Sequence, residues 1–207
     1  MKPLFSTLLA LATSAAPLAA SAQLAQATPV DTVTARAALL ASTRQYPKFY
    51  RALCTVQQQH TLLRKLVLVR NGRNDGPAAA FPNGVVRLDV RYLESPQPGF
   101  DDNRMVVVFY HEIGHLHYFR TVPVARRTAD ANERAAFDYS LQMTQHLADA
   151  GDCGPLQAGL RFMLLRSQSS NLADPHVRAL QSLVQEPAYA DYRRYVAQHC
   201  PPGPTGF

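Results

Sequence analysis

His111, Glu112 and His115 sit inside the stretch "VVVFYHEIGHLHYF", Val106 to Phe119, which is otherwise almost wholly apolar. Polar side chains buried in such a setting cost free energy unless something satisfies them. On a helix, residues four positions apart lie on one face a turn apart, so His111 and His115 can hold a single ion between them. Neutral imidazole is a good zinc ligand. Glu112 projects about 100° further round the helix, beside such an ion. There its carboxylate could take a proton from an activated water and hand it to a leaving amine. The blander explanation of this H-E-x-x-H pattern is an exposed His-x-x-x-His whose neighbouring Glu makes surface pairs. That explanation needs a polar helix face, and Val106, Val107, Val108, Phe109, Ile113, Leu116 and Phe119 leave little room for one.

Catalytic zinc usually takes three protein ligands and leaves a fourth position to water. An H-E-x-x-H helix can be followed closely by a glycine and a third histidine, but here Tyr118 and Thr121 occupy those positions. The third ligand must therefore come from further along. Glu133, in "NERAAFDYS", is the leading candidate: positions 133, 136, 137, 140, 141 and 144 share one helical stripe, and Ala136, Phe137 and Leu141 mark it as the buried side. Glu133 has a structural alternative, since Asp130 and Glu133 are spaced as a capping box. Asp138 lies about 140° away around the same helix. Asp138, Asp130, His146 or no third protein ligand all stay open. His117, about 240° from His111, should pack elsewhere or reach solvent.

Several elements must position these residues. Asp31 is a good N-cap for a helix over Thr32 to Arg44, and Pro47 opens a second through "PKFYRALCTVQQQHTLL". The pattern then turns to period two in Lys65 to Val69 and in Gly84 to Leu93, on either side of the turn-rich "RNGRNDGP". These read as two or three strands of a small sheet. Asp101 or Asp102 can cap the central helix, Arg104 to Arg120. A long helix over Ala131 to Ala148 follows, ending before Gly151, and the rest of the chain reads as two or three more helices. The expected class is α+β: a small, mostly antiparallel sheet packed on a central helix, with a mainly helical C-terminal part.

"MKPLFSTLLALATSAAPLAASA" has the layout of a secretory signal: Lys2, an apolar run from Leu4 to Ala12, then Ala20-Ser21-Ala22 before Gln23. Residues 1–22 are thus expected to be removed, leaving one exported domain, 23–207, with no membrane association and its metal core over about 65–148. Loss of Lys2 takes the formal net charge from +6 to +5. The arginines behind that charge are scattered, and no basic run or aromatic-interleaved stripe argues for nucleic acid. Cys54, Cys153 and Cys200 suggest one disulfide and one free thiol in an oxidising compartment. Cys153 with Cys200 is the preferred pair, because it would staple the tail "HCPPGPTGF" to the end of the long helix.

The H-E-I-G-H helix followed by a second helix with an inward glutamate resembles the zincin metallopeptidases, specifically their gluzincin branch. "AAFPNGVVRLDV" is similar to the sheet edge that precedes this helix in small members, and "ERAAFDYS" to the E-x-x-x-F pattern of compact bacterial ones. The resemblance implies one zinc held by His111, His115 and Glu133, with Glu112 as general base in hydrolysing a peptide or protein substrate. It also implies that an extended substrate lies along the edge strand, placed near Val85 to Leu93. Branches with an aspartate four residues after the ligand glutamate use it to orient a histidine. Phe137 stands there instead, so the orienting partner of the histidines is open. Tyr110, Tyr139, Tyr189, Tyr192, Tyr195 and His199 are conceivable donors to a developing oxyanion. A silent zincin-like binding module and a hydrolase of other amide bonds are the competing readings.

Overall fold

A computed structural model describes residues 27–59, 61–70, 76–95 and 97–202. The expected signal at 1–22, most of the "RNGRNDGP" turn and the end of the tail lie outside these residues. Asp31 starts helix α1 (Thr32–Gln45) as expected, its carboxylate accepting from the Val33 and Thr34 N–H groups at 2.9 Å. Helix α2 (Pro47–Gln59) opens on Pro47 and buries Phe49, Ala52, Leu53 and Val56. It ends at Gln59, short of the Leu63 that the sequence suggested.

Four strands follow or flank these helices: β1 (Thr28–Pro29), β2 (Lys65–Arg70), β3 (Ala78–Phe81) and β4 (Val85–Asp89). They form one sheet in the order β1-β2-β4-β3. The β1/β2 and β3/β4 pairs are antiparallel, but the central β2/β4 pair is parallel, so the sheet is mixed. The chain passes from β2 to β3 at the far edge and returns through a tight turn into the middle. Gly84 makes that turn possible: its φ is +82°, and a Cβ there would lie 2.7 Å from the Arg64 side chain.

The strand expected to run from Gly84 to Leu93 stops at Asp89. Asp89 is fully buried and accepts the Arg91 N–H at 3.0 Å, while the Arg91 guanidinium pairs with it at 2.6 Å. That local bond competes with the ladder and turns the backbone into a short helix, α3 (Arg91–Glu94). β4 is thus interior, and the strand edge expected near Val85 to Leu93 belongs to β3.

Helix α4 (Asp102–Thr121) carries the H-E-x-x-H residues through the middle of the molecule, buried on nearly every side. The two aspartates before it divide the capping between them. Asp101 caps α4 by accepting from Arg104 N–H at 2.8 Å, while Asp102 accepts from the Lys48 and Phe49 N–H groups and so caps α2. Helix α5 (Ala129–Asp149) lies against α4 and ends in a turn at Gly151. Helices α6 (Gly154–Ser167), α7 (Pro175–Leu183) and α8 (Pro187–His199) complete the C-terminal part. Cys153 and Cys200 form a disulfide between the start of α6 and the end of α8, and Cys54 is free.

The architecture is α+β with two main adjoining cores, beside a small cluster of Ala27, Val69 and Ala79. One joins α1, α2, the sheet and α4 around Phe49, Val106 and Phe109; the other joins α5 to α8 around Leu141, Leu160 and Leu180. Among the described residues no helix is long and apolar enough to cross a membrane.

Candidate metal centre

Where the two cores meet, α4 turns His111 and His115 toward α5. Their Nε2 atoms are 3.1 Å apart, and both residues are only 7% exposed. Glu133 reaches them from the second turn of α5, with Oε2 at 3.2 Å from His111 Nε2 and 3.6 Å from His115 Nε2. The stripe that predicted this inward direction is buried at every position: Glu133, Ala136, Phe137, Ser140, Leu141 and Thr144.

The capping-box alternative for Glu133 is not realised. Thr128 caps α5 by accepting from Ala131 N–H at 3.2 Å, and Asp130 is turned outward to Arg178 at 2.5 Å. Asp138 pairs with Arg134 at 2.9 Å, and His146 is exposed beside Asp149. None of these three joins the cluster.

Gly114, inside the H-E-I-G-H segment, sets the distance between the two helices. A Cβ on it would lie 2.7 Å from the Ala136 Cα and 3.0 Å from the Ala136 carbonyl oxygen. Backbone atoms on a packed helix cannot give way as a flexible side chain can, so this small residue lets α5 come close enough for Glu133 to reach both histidines.

Burial lowers the pKa of His111 well below its ordinary value, with the fields of His176 and Arg104 adding to the effect. Burial and the neighbouring His111 likewise bring His115 down to about 4. Both rings are therefore neutral at neutral pH and can offer lone pairs. Asn132 fixes which one His115 offers: its Oδ1 lies 3.0 Å from His115 Nδ1, so the proton sits on Nδ1 and Nε2 presents its lone pair to Glu133 and His111. Glu133 Oε2 is within ion-pair distance of three ring nitrogens yet aligned for a hydrogen bond with none, and His111 Nδ1 also lacks a partner. Two imidazoles and a carboxylate whose ligand atoms all lie within 4.8 Å of one another could hold a metal ion. The unsatisfied carboxylate oxygen is what such an ion would satisfy.

Glu112 faces the opposite wall, where β3 supplies the Ala80 N–H as a donor to its carboxylate, while Oε2 has no partner. Burial, aided by the negative field of Glu133, pushes its pKa up to about 8. The cavity in front of these groups measures about 740 Å³ and runs between β3 on one side and α5, α6 and α7 on the other.

Two residues of the site carried no signal in the sequence. Asn132 precedes Glu133 in a first turn, where asparagine reads as a capping residue. His176 begins α7, far along the chain, and only the packing of α7 on α5 brings its Nε2 to 3.1 Å from Glu133 Oε2. Asp174 accepts the His176 backbone N–H at 2.9 Å, sits 3.0 Å from its Nδ1 and is itself paired with Arg166 at 2.5 Å. Burial alone would lower the His176 pKa, but the Asp174 hydrogen bond and the fields of Glu133, Asp174 and Glu112 outweigh it and raise it. The tyrosines and histidine considered as oxyanion donors are placed elsewhere: Tyr189 donates to the Leu160 carbonyl, Tyr195 to Asp149, and neither they nor Tyr110, Tyr139, Tyr192 and His199 line the cavity. His117 is exposed, its ring 5.7 Å from that of Tyr139. Compared with protein-family models, with curated proteins and with solved structures, the chain finds no match.

Proposed function

We propose that the protein is an exported zinc metallopeptidase of gluzincin type, with His111, His115 and Glu133 as metal ligands and Glu112 as general base. The observation that carries the reading is the buried Oε2 of Glu133, without a hydrogen-bond partner and beside two neutral histidines, with a second buried carboxylate, Glu112, across the same cavity. A two-nitrogen, one-carboxylate donor set suits zinc and leaves an open position. Zinc held by these three residues would supply Lewis acidity toward a water and a substrate carbonyl.

The chain's own residues supply the rest. Glu112 accepts a proton from the attacking water at a carboxylate oxygen and delivers it to the leaving amine nitrogen. Its upward-shifted pKa keeps it close to the range in which it can both take and return a proton. His176, held at Nδ1 by Asp174 and with its pKa raised by that bond and by the surrounding carboxylates, brings Nε2 to the cavity wall, where an N–H can donate to a carbonyl oxygen gathering negative charge. β3 is the sheet edge beside Glu112, so an extended peptide can pair with it as an added strand. Export is supported by the signal-like residues 1–22 and by the Cys153–Cys200 disulfide, which favours an oxidising compartment.

The test uses the purified full chain. Glu112→Gln should retain about one zinc per chain while peptide hydrolysis falls by roughly 10²- to 10⁴-fold. A zinc-loaded wild type that cuts no member of a broad peptide library would favour the silent binding module instead.

A further inference from the structure

Arg104 lies two helical turns before His111 on the same face of α4, about 10 Å away along the helix axis, and lines the same cavity. Its guanidinium carbon sits 3.1 Å from the centroid of the Phe162 ring on α6 and 5.8 Å from that of Phe100. These are cation–π contacts, which use the charge and the carbon of the guanidinium and need none of its N–H groups. Arg166, which lines the same cavity, is paired with Asp174. Arg104 is not: among the described residues no carboxylate pairs with it and no acceptor takes its side-chain N–H groups. A cation partly withdrawn from water is normally matched by an anion; Asp101 acts on Arg104 through its field but makes no ion pair with it, and the aromatic faces account for its position rather than its charge.

We infer that Arg104 is a substrate anchor that receives a carboxylate of the bound peptide within about three residues of the scissile bond, the span that about 10 Å allows an extended chain. The inference rests on the peptidase reading and narrows its substrates to peptides carrying a negative charge at one end of the cleft. That charge is either the α-carboxylate of the chain end or an aspartate or glutamate side chain, both of which fit the guanidinium fork.

Short peptide libraries separate the two sources: free acid against C-terminal amide, each with Asp and Glu present or replaced by Asn and Gln. With wild-type protein, the version bearing the required carboxylate should be cleaved with a kcat/KM about 30-fold or more above its neutral counterpart. The difference should lie mainly in KM. In Arg104→Met, which keeps an apolar chain against Phe162, that ratio should collapse to near unity while zinc content is maintained. Arg104→Lys should restore it in part, since a point charge replaces the fork. Fluorescence polarisation of the same peptides on zinc-loaded Glu112→Gln protein gives a readout independent of cleavage. Equal cleavage and equal capture of charged and neutral peptides by the wild-type Arg104 site would overturn the inference and leave the peptidase reading standing, as would a preference that survives in Arg104→Met. Carboxylate-dependent capture without any cleavage by wild type would sink the peptidase reading and keep the anchor. Failure to capture any of the peptides would remove the anchor as well.

Discussion

Helix α5 carries Asp130, Glu133 and Asp138 on successive turns, and the protein treats the glutamate differently from the two aspartates. Asp130 and Asp138 sit toward solvent, each held by an arginine, Arg178 and Arg134. Glu133 points inward, is 6% exposed and has an oxygen with no hydrogen-bond partner beside three histidine rings. Exposed ion pairs of the first kind are worth little, about 0–1 kcal/mol. A buried carboxylate costs several kcal/mol unless it is matched. His176 Nε2, at 3.1 Å, matches Glu133 in part, yet its Oε2 is left without an aligned hydrogen bond between two neutral imidazoles, an arrangement that a divalent cation would complete.

The sharpest way to break this contrast is to remove the carboxylates one at a time. Glu133→Ala should weaken zinc binding by more than about 100-fold, beyond the effect of losing an orienting residue, whereas Asp138→Ala should leave it unchanged in a competition titration against a chromophoric chelator. Equal effects of the two substitutions would show that Glu133 is no more a ligand than Asp138.

The next effect concerns Glu112 in chelator-treated protein. Its pKa in the folded chain is raised from 4.5 to about 8, so the folded state resists an ionisation that the unfolded state undergoes freely. The contribution of Glu112 to stability should therefore decline as pH rises from about 4.5 to about 8 and then level off, with a slope of at most ~1.4 kcal/mol for each step of one in pH. His111 and His115, depressed by burial, act in the opposite direction up to about 6.5; the difference between wild type and a Gln variant isolates Glu112. Metal-free Glu112→Gln lacks this ionisation. Urea melts should show it gaining on wild type by a few kcal/mol at the alkaline end and by nothing near pH 4. Parallel pH profiles for the two proteins would mean that Glu112 is solvated.

Smaller still is the effect of Asn132, which touches His115 and is not itself a ligand. Asn132→Ala should cost roughly 10- to 100-fold in zinc affinity, the range for partners that orient a ligating histidine, and no loss would remove it from the site. Arg178→Ala, which frees Asp130, should change stability by less than about 1 kcal/mol and zinc affinity not at all. A larger drop would mean that the outer pairs help to shape the centre.

The same contrast explains what can be read from the amino-acid sequence. His111, Glu112 and His115 are legible because three polar groups stand in an apolar helix, and the direction of Glu133 is legible because its stripe of neighbours is apolar or small. Periodicity tells which way a side chain points but not what it meets. Asn132 and His176 act through contacts that depend on how α5 and α7 dock, and locally each reads as an ordinary helix-start residue. The sheet shows the same limit. Alternation marks Lys65 to Val69 and Gly84 to Leu93 as strands, the second running past its observed end at Asp89, but cannot show that they pair in parallel. β3, the alanine-rich segment Ala78–Phe81, has weak strand propensity, so alternation assigns the edge beside Glu112 to β4. Nor does the pattern foresee Asp89 turning the chain into α3, since that depends on a side-chain bond to Arg91.

Whether His111, His115 and Glu133 bind zinc as a unit is decided by zinc K-edge X-ray absorption on protein dialysed to equilibrium. The expected spectrum shows about one zinc per chain in a shell of nitrogen and oxygen neighbours without sulfur, with imidazole scattering that is lost in His111→Ala and a changed shell in Glu133→Ala. Zinc well below one per chain, or a spectrum unaltered by either substitution, would contradict it.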